Sequence, residues 1–278
     1  MSEPSSRKGR AGEGRVLPDI VPISASSLDM WRRCPREYWN RHVLGLPESD
    51  TGSSPDFGNL VHSMLEQIHR RGDCRDVAHV DEVLALHGLE PDGALAGVVA
   101  RHASRCPSPA EHAKHELEVA RFHRRPPPMF MATGRLDAVW QHDGLLEVRD
   151  YKTGSVVTDR IVDDPRARLQ AWLAAPIARR LQLQVRVRYE HLAAEIDDDP
   201  EPFEPEPEDL EAIEEELRET AAAIHAAAAE HSFPGVAEAE VCAFCRYRSI
   251  CPESAAPGVP TWPVPPDADE DGEPGPRQ

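Results

Sequence analysis

The stretch EVRDYKTGS, residues 147–155, sets Asp150 two positions before Lys152, one of only three lysines in the chain beside Lys8 and Lys114. Nearly every other positive charge is written as arginine. Upstream, GRLDAVWQHDGLLEVRDYK carries two alternating runs around Asp143-Gly144, a strong local signal for a two-residue hairpin. That turn sets Asp137 opposite Asp150, Trp140 opposite Glu147 and Arg135 opposite Lys152. Side chains alternate with period two, so Asp137, Asp150 and Lys152 share one face. Two opposed carboxylates repel and need compensation. A divalent cation supplies it, since Mg²⁺ is typically held by one or two carboxylates together with phosphate oxygens. A lysine beside the pair can orient or help deprotonate a metal-bound water and then stabilise charge growing on a phosphate. An arginine cannot readily give up a proton, which gives a reason for a lone Lys here.

A second constellation lies at the two ends of the chain. CAFCRYRSIC spaces Cys242, Cys245 and Cys251 closely enough to grip one centre, and Cys34 in WRRCPREYW is the natural fourth ligand. Four thiolates suit an iron–sulfur cluster or a structural zinc. Cys74 and Cys106 have no partner pattern and read as free thiols. Arg32, Arg33, Arg36 and Arg41 surround Cys34 and are candidates for phosphate contacts.

These residues must be carried by a mixed α/β domain. Serines before Leu28, Trp31, Tyr38 and Trp39 predict a capped helix that Pro35 bends or interrupts. Leu60, Met64, Leu65 and Ile68 form the apolar stripe of a second helix, with Gly72 as its stop. Residues 80–114 read as short helices. HELEVARFH (115–123) and the two arms of the hairpin read as strands, followed by a helix over 164–181 and a strand over 183–193. An acidic run then leads into an Ala-rich helix ending near His231. Helices followed by strands, a helix, a strand and a helix give the α/β class.

On these residues the chain resembles the PD-(D/E)XK nuclease superfamily: GRLDAV…EVRDYKTG looks like its metal-binding hairpin. DYKTG is most similar to the RecB-like exonuclease branch. The resemblance implies a restriction-endonuclease-like core, a mixed central sheet flanked by helices, and a nuclease hydrolysing phosphodiester bonds in DNA with Mg²⁺ or Mn²⁺. It implies a metal ligand at His62, within GNLVH, beside Asp137 and Asp150. A contribution from the Tyr151 carbonyl and from Glu116 or Glu118 follows in the same way. The branch's usual Gln-Leu-x-x-Tyr helix motif is here RLQAW, with Arg168 for Gln, Trp172 for Tyr and Gln170 nearby, so Arg168 and Gln170 are carried over only weakly as DNA contacts. An early Cys with a C-terminal triplet is similar to the iron–sulfur nucleases of this branch, including AddB and CRISPR-associated exonucleases. There a [4Fe–4S] cluster staples the two ends of the domain; by resemblance its ligands here are Cys34, Cys242, Cys245 and Cys251, with zinc as the alternative.

The net charge of −18 is unusual for a partner of nucleic acid, but its location matters. Residues 195–219 and 253–278 together account for all of it, leaving a neutral body in which arginines can form a basic groove. The expected layout is a disordered tail over 1–20, a nuclease domain over 21–252 and a disordered acidic, Pro-rich tail over 253–278. With neither a signal-like N-terminus nor an 18-residue apolar run, the expected location is cytoplasmic, with no membrane partner. No P-loop motif occurs, so the expectation is a nuclease of DNA repair or recombination that acts alone or serves a separate helicase, single-stranded DNA being among its candidate substrates. Two other readings use the same residues: a non-catalytic DNA-binding or assembly subunit, and a zinc-stapled binding module.

Overall fold

The computed structural model of the chain describes residues 20–48, 57–90, 93–107, 113–124, 127–154, 159–192 and 199–256. The expected tails therefore lie outside the described residues, except Ile20 and 253–256. The chain forms two compact units, Ile20–Asp29 with Thr51–Ile224, and Met30–Asp50 with His225 onward. Among the described residues no helix is long and apolar enough to cross a membrane.

The larger unit is an α/β fold around one mixed sheet. Its strands are β1 (Ile20–Ile23), β2 (Ala113–His123), β3 (Met129–His142), β4 (Leu145–Lys152) and β5 (Gln184–His191). They run in the order β1-β3-β4-β5, with β2 also paired to β3. β3 is antiparallel to β2 and β4 and parallel to β1, while β4 and β5 are parallel. The Asp143-Gly144 turn has both φ angles positive, 47° and 78°, as the favoured two-residue hairpin turn requires. From Ala138–Arg149 to His142–Leu145 its register is the one the sequence predicts, but the pairing ends there and does not reach the expected Asp137–Asp150 and Arg135–Lys152 partners. β1 was not legible: four residues with no turn partner of their own pair with β3 across more than a hundred positions.

Helices cover the sheet. α1 (Ala25–Arg33) starts at Ser24, whose hydroxyl accepts from the Ser27 N–H at 3.2 Å, while Ser27 Oγ accepts from the Ser24 N–H at 2.7 Å. This reciprocal cap satisfies two donors at once. α3 (Phe57–Arg71) packs against β2 and, with α4 (Val77–Leu86) and α5 (Ala94–Arg105), builds a core on Ala138, Trp140 and Tyr151. α6 (Pro165–Leu181) packs against β2, β3, β4 and β5, its first turn capped by Asp164.

The smaller unit contains α2 (Pro35–Tyr38), a π-helical turn (Trp39–Val43) and α8 (Ala239–Ala243), with the end of α7 (Pro207–Ala229). Pro35 interrupts the helix, one of the two expected outcomes: α1 ends at Arg33, and Pro35 opens α2 in its first turn, where a missing N–H costs nothing. Phe233 packs against Trp31 and Trp39, with centroids 6.1 and 4.4 Å away.

At Gly134 a Cβ would stand 2.7 Å from Leu173 Cδ1, and Leu173 is fully buried with little room to retreat. Gly134→Ala is expected to destabilise the fold by roughly 1–3 kcal/mol. Combined with Leu173→Ala, it should cost clearly less than the sum of the two single changes, measured by denaturant unfolding. Strict additivity would show that the close approach is not what fixes glycine here.

Candidate active site

The site lies where the sheet's pairing is interrupted. The β2–β3 register passes from His115–Ala138 to Leu117–Leu136, leaving no Cα partnership between Glu116 and Asp137. The β3–β4 pairing stops at Ala138–Arg149, one step short of Asp137–Asp150. Glu116, Asp137 and Asp150 would otherwise stand abreast on three adjacent strands, and like charges directly opposite destabilise a ladder. Glu116 adopts φ 50°, uncommon for a residue with a Cβ. The side-chain alternation of β2 breaks at the same place: His115 stacks on His69 of α3, whereas Arg121 donates to the Trp172 carbonyl of α6 at 2.8 Å.

The freed groups find other partners. The Asp137 carboxylate accepts the Tyr151 backbone N–H at 2.9 Å and stands 3.5 Å from His62 Nδ1. His62 Nε2 donates to the Tyr151 carbonyl at 3.1 Å, which turns Nδ1 toward the carboxylates. Glu116 lies 4.0 Å from the same Nδ1. One ligand atom from each of His62, Glu116 and Asp137 fits within 4.8 Å of the others, a grouping that can hold one cation. Of the two glutamates considered from sequence, Glu116 is the one beside His62, and Glu118 is exposed.

Asp150 is 3 % exposed, with Gln170 Nε2 donating to Oδ1 at 2.8 Å and Lys152 Nζ against Oδ2. Lys152 also sits 4.0 Å over the Tyr189 ring. Burial, and then the nearby charge of Asp137, push the Asp150 carboxyl above its usual range despite Lys152. Burial opposes the charged form of His62, but the hydrogen bond and charge of Asp137 outweigh it and raise its pKa. Without a cation this cluster is electrostatically strained.

The remaining candidates take varied positions. Gln170, carried over as a DNA contact, is buried with its amide on Asp150. Arg168 pairs with Glu216 at 3.1 Å, and Trp172 donates to Glu214 at 3.1 Å under the Arg121 guanidinium. In the smaller unit Arg33 bonds Glu37 at 2.7 Å, Arg36 reaches Glu253 at 3.4 Å, and Arg41 pairs with Glu48. Arg32 belongs to the same helix as Arg33. Cys34, Cys242, Cys245 and Cys251 all line one cavity of that unit. Three of their sulfurs lie near backbone N–H groups: Val236 to Cys34 at 3.5 Å, Ala255 to Cys242 at 3.3 Å, and Tyr247 to Cys245 at 3.4 Å. Such donors favour thiolates and suit a metal-bound sulfur. Cys74 and Cys106, read from the sequence as free thiols, form no disulfide and lie with His69 and His102 in the core of the larger unit.

The structure is thus a mixed sheet flanked by helices, with carboxylates and a lysine on its inner strands and a histidine brought to them by α3. The chain belongs to the PD-(D/E)XK nuclease superfamily, whose model matches residues 22–252. No curated protein sequence matches it. Among solved structures, a protein from Eubacterium rectale whose description proposes an exonuclease is similar in fold, with 11 % identity, a TM-score of 0.50, and coverage of 89 % of this chain and 94 % of that one. A structure described as SSO0001 aligns over 88 % of this chain and 89 % of its own, with 13 % identity and a TM-score of 0.39.

The raised Asp150 and His62 pKa values fix a pH dependence. A carboxyl whose folded pKa exceeds its unfolded value binds extra protons when folded, so stability falls as pH rises from about 4 through the folded pKa. His62 acts in the same direction: its contribution is present below about 6.5 and lost as pH rises through its raised folded value. In EDTA at pH 8, Asp150→Asn should therefore melt at or above wild type, by about 2–4 °C for each kcal/mol relieved. Mn²⁺ should raise the wild-type Tm and not that of the variant. A variant that melts lower in EDTA would show that Asp150 carries no electrostatic penalty.

Proposed function

We propose that this chain is a divalent-metal-dependent deoxyribonuclease of the RecB-like branch, with Mg²⁺ or Mn²⁺ at His62, Glu116, Asp137 and Asp150. The observation that carries the reading is the convergence of His62, Glu116 and Asp137 where strand pairing is interrupted, with Asp150 and its partner Lys152 on the adjoining strand. Donor chemistry supports the metal: hard carboxylate oxygens with one imidazole suit Mg²⁺ and Mn²⁺. When bound, the cation supplies Lewis acidity and a water of lowered pKa.

The chain's own residues then have distinct tasks. Asp137 is anchored by the Tyr151 N–H and points one oxygen toward His62. Gln170 locks the Asp150 carboxylate, leaving its other oxygen to Lys152. The Tyr151 carbonyl holds the His62 proton on Nε2, so that Nδ1 is the ligating nitrogen; in this reading the carbonyl orients a ligand rather than being one. With a cation held at these carboxylates, Lys152 would be available to a non-bridging phosphate oxygen and the attacking water. Its charge acts mainly where negative charge grows. The substrate we infer is DNA, with removal of nucleotides from an end as the mode of action and repair or recombination as the setting; a separate helicase would supply any unwinding.

Lys152→Ala should retain DNA binding and lose cleavage by about 10²-fold or more, assayed on end-labelled single- and double-stranded DNA with Mg²⁺ or Mn²⁺. Asp137→Ala should lose cleavage through loss of metal. Wild-type rates in either variant would remove the hairpin from the chemistry, and absence of cleavage in the wild type under all these conditions would favour a non-catalytic subunit.

We also propose that Cys34, Cys242, Cys245 and Cys251 hold a [4Fe–4S] cluster, supported by their shared cavity and the N–H groups near their sulfurs. Binding that exists only in the folded state adds to folding stability. Cys34→Ser should lose iron, inorganic sulfide and visible absorbance after anaerobic purification. Full iron in that variant would exclude Cys34 as a ligand.

A further inference from the structure

We propose that the nuclease unit contains a second, closed metal centre, a structural zinc held by His69, Cys74, His102 and Cys106. One ligand atom from each of these four residues lies within 4.8 Å of all the others. The four are 3 %, 3 %, 0 % and 5 % exposed, deep in the core formed by α3, α4, α5 and the inner face of the hairpin. They come in two matching pairs. His69, in the last turn of α3, is followed by Cys74 after four residues, and His102, in the last turn of α5, by Cys106 after three. Two helix ends therefore deliver an imidazole and a thiol each to one point.

The geometry favours a bound ion over a purely hydrogen-bonded cluster. The Nε2 atoms of His69 and His102 face each other at 2.8 Å. A hydrogen bond between the rings accounts for that pair alone, but the Cys106 sulfur also has both rings and Cys74 as immediate partners. Two thiolates, two neutral imidazoles and one divalent ion sum to zero charge, which suits a site closed to water. Two nitrogen and two sulfur donors with no open position are the ligand set of structural zinc. The surroundings complete the pattern. His102 Nδ1 donates to Glu190 at 2.8 Å, and Glu190 in turn accepts from Arg149 at 2.8 Å; both are buried. A ligating histidine whose other nitrogen is fixed by a buried carboxylate is the usual outer arrangement of a zinc ligand.

The position gives the ion a purpose. His69 lies two helical turns beyond His62 on α3. His102 meets the Tyr151 ring edge-on, with centroids 5.4 Å apart, and the Tyr151 backbone touches both His62 and Asp137. Zinc at this point ties the end of α3 to α5 directly behind the strand that carries Asp150 and Lys152. It would position the catalytic hairpin without touching substrate.

The test is metal analysis and zinc-edge X-ray absorption of the full-length wild-type protein, purified anaerobically from zinc-supplemented medium. The expected result is one zinc per chain in a shell of two sulfurs and two nitrogens, with zinc retained and iron lost in Cys34→Ser, and the reverse in Cys74→Ser. The wild-type spectrum decides the matter even if Cys74→Ser fails to fold. No zinc in the wild type, a four-sulfur shell, or a Cys74–Cys106 disulfide in mass spectra of the alkylated protein would each overturn the proposal. None of these outcomes depends on whether the chain cleaves DNA, so the centre and the nuclease reading can fail separately.

Discussion

Three carboxylates that strand register would place abreast are the constraint from which the active-site region follows. Glu116, Asp137 and Asp150 sit on neighbouring strands, and a regular ladder would hold them side by side in a largely buried sheet. The fold yields at that row: backbone pairing is interrupted on both sides of Asp137, and Glu116 takes a positive φ. The Tyr151 N–H, no longer needed by the ladder, bonds the Asp137 side chain. An interruption that costs sheet stability thereby relieves three mutually repelling groups and leaves Glu116 and Asp137 grouped with His62 closely enough to hold a cation.

The two layers around this row do different work. On one side α6 supplies Gln170 to Asp150 and packs so closely on β3 that Gly134 faces Leu173. On the other, α3 brings His62 to the front while its later residues, with α5, enclose Tyr151 and the His/Cys cluster. Tyr151 joins both layers. Its backbone meets His62 and Asp137, and its buried ring packs among the histidines. Buried networks of this kind are costly when half satisfied and rigid when complete. That contrast is the physical reason to look for an ion behind the strand as well as in front of it.

Much of this was legible without coordinates. Asp143-Gly144 between alternating runs fixed the hairpin and its register, because a type of turn with two positive φ angles admits few other residues. The lone Lys152 and the spaced cysteines marked candidate chemistry, and the family model supports the nuclease superfamily. What escaped was non-local. β1 pairs with a strand far along the chain, and the choice between Glu116 and Glu118 turned on a break in alternation that no periodicity reveals. Gln170 lies two positions from the arginine standing in its family slot, and only helix docking shows that its amide meets Asp150.

His69, Cys74, His102 and Cys106 mark the same division most clearly. Each His-to-Cys spacing is visible in the sequence, but a pair of donors four or five positions apart is a common accident, and two such pairs separated by 27 residues identify no shared centre. The sequence by itself determined the turn, the helical and strand periods and the kinds of donor atom available, since these depend on neighbours a few positions apart. Only the tertiary structure decided which donors meet, because the packing of α3 against α5 and the interruption of β2, β3 and β4 at one row arise from contacts between distant segments, for which local spacing carries no information.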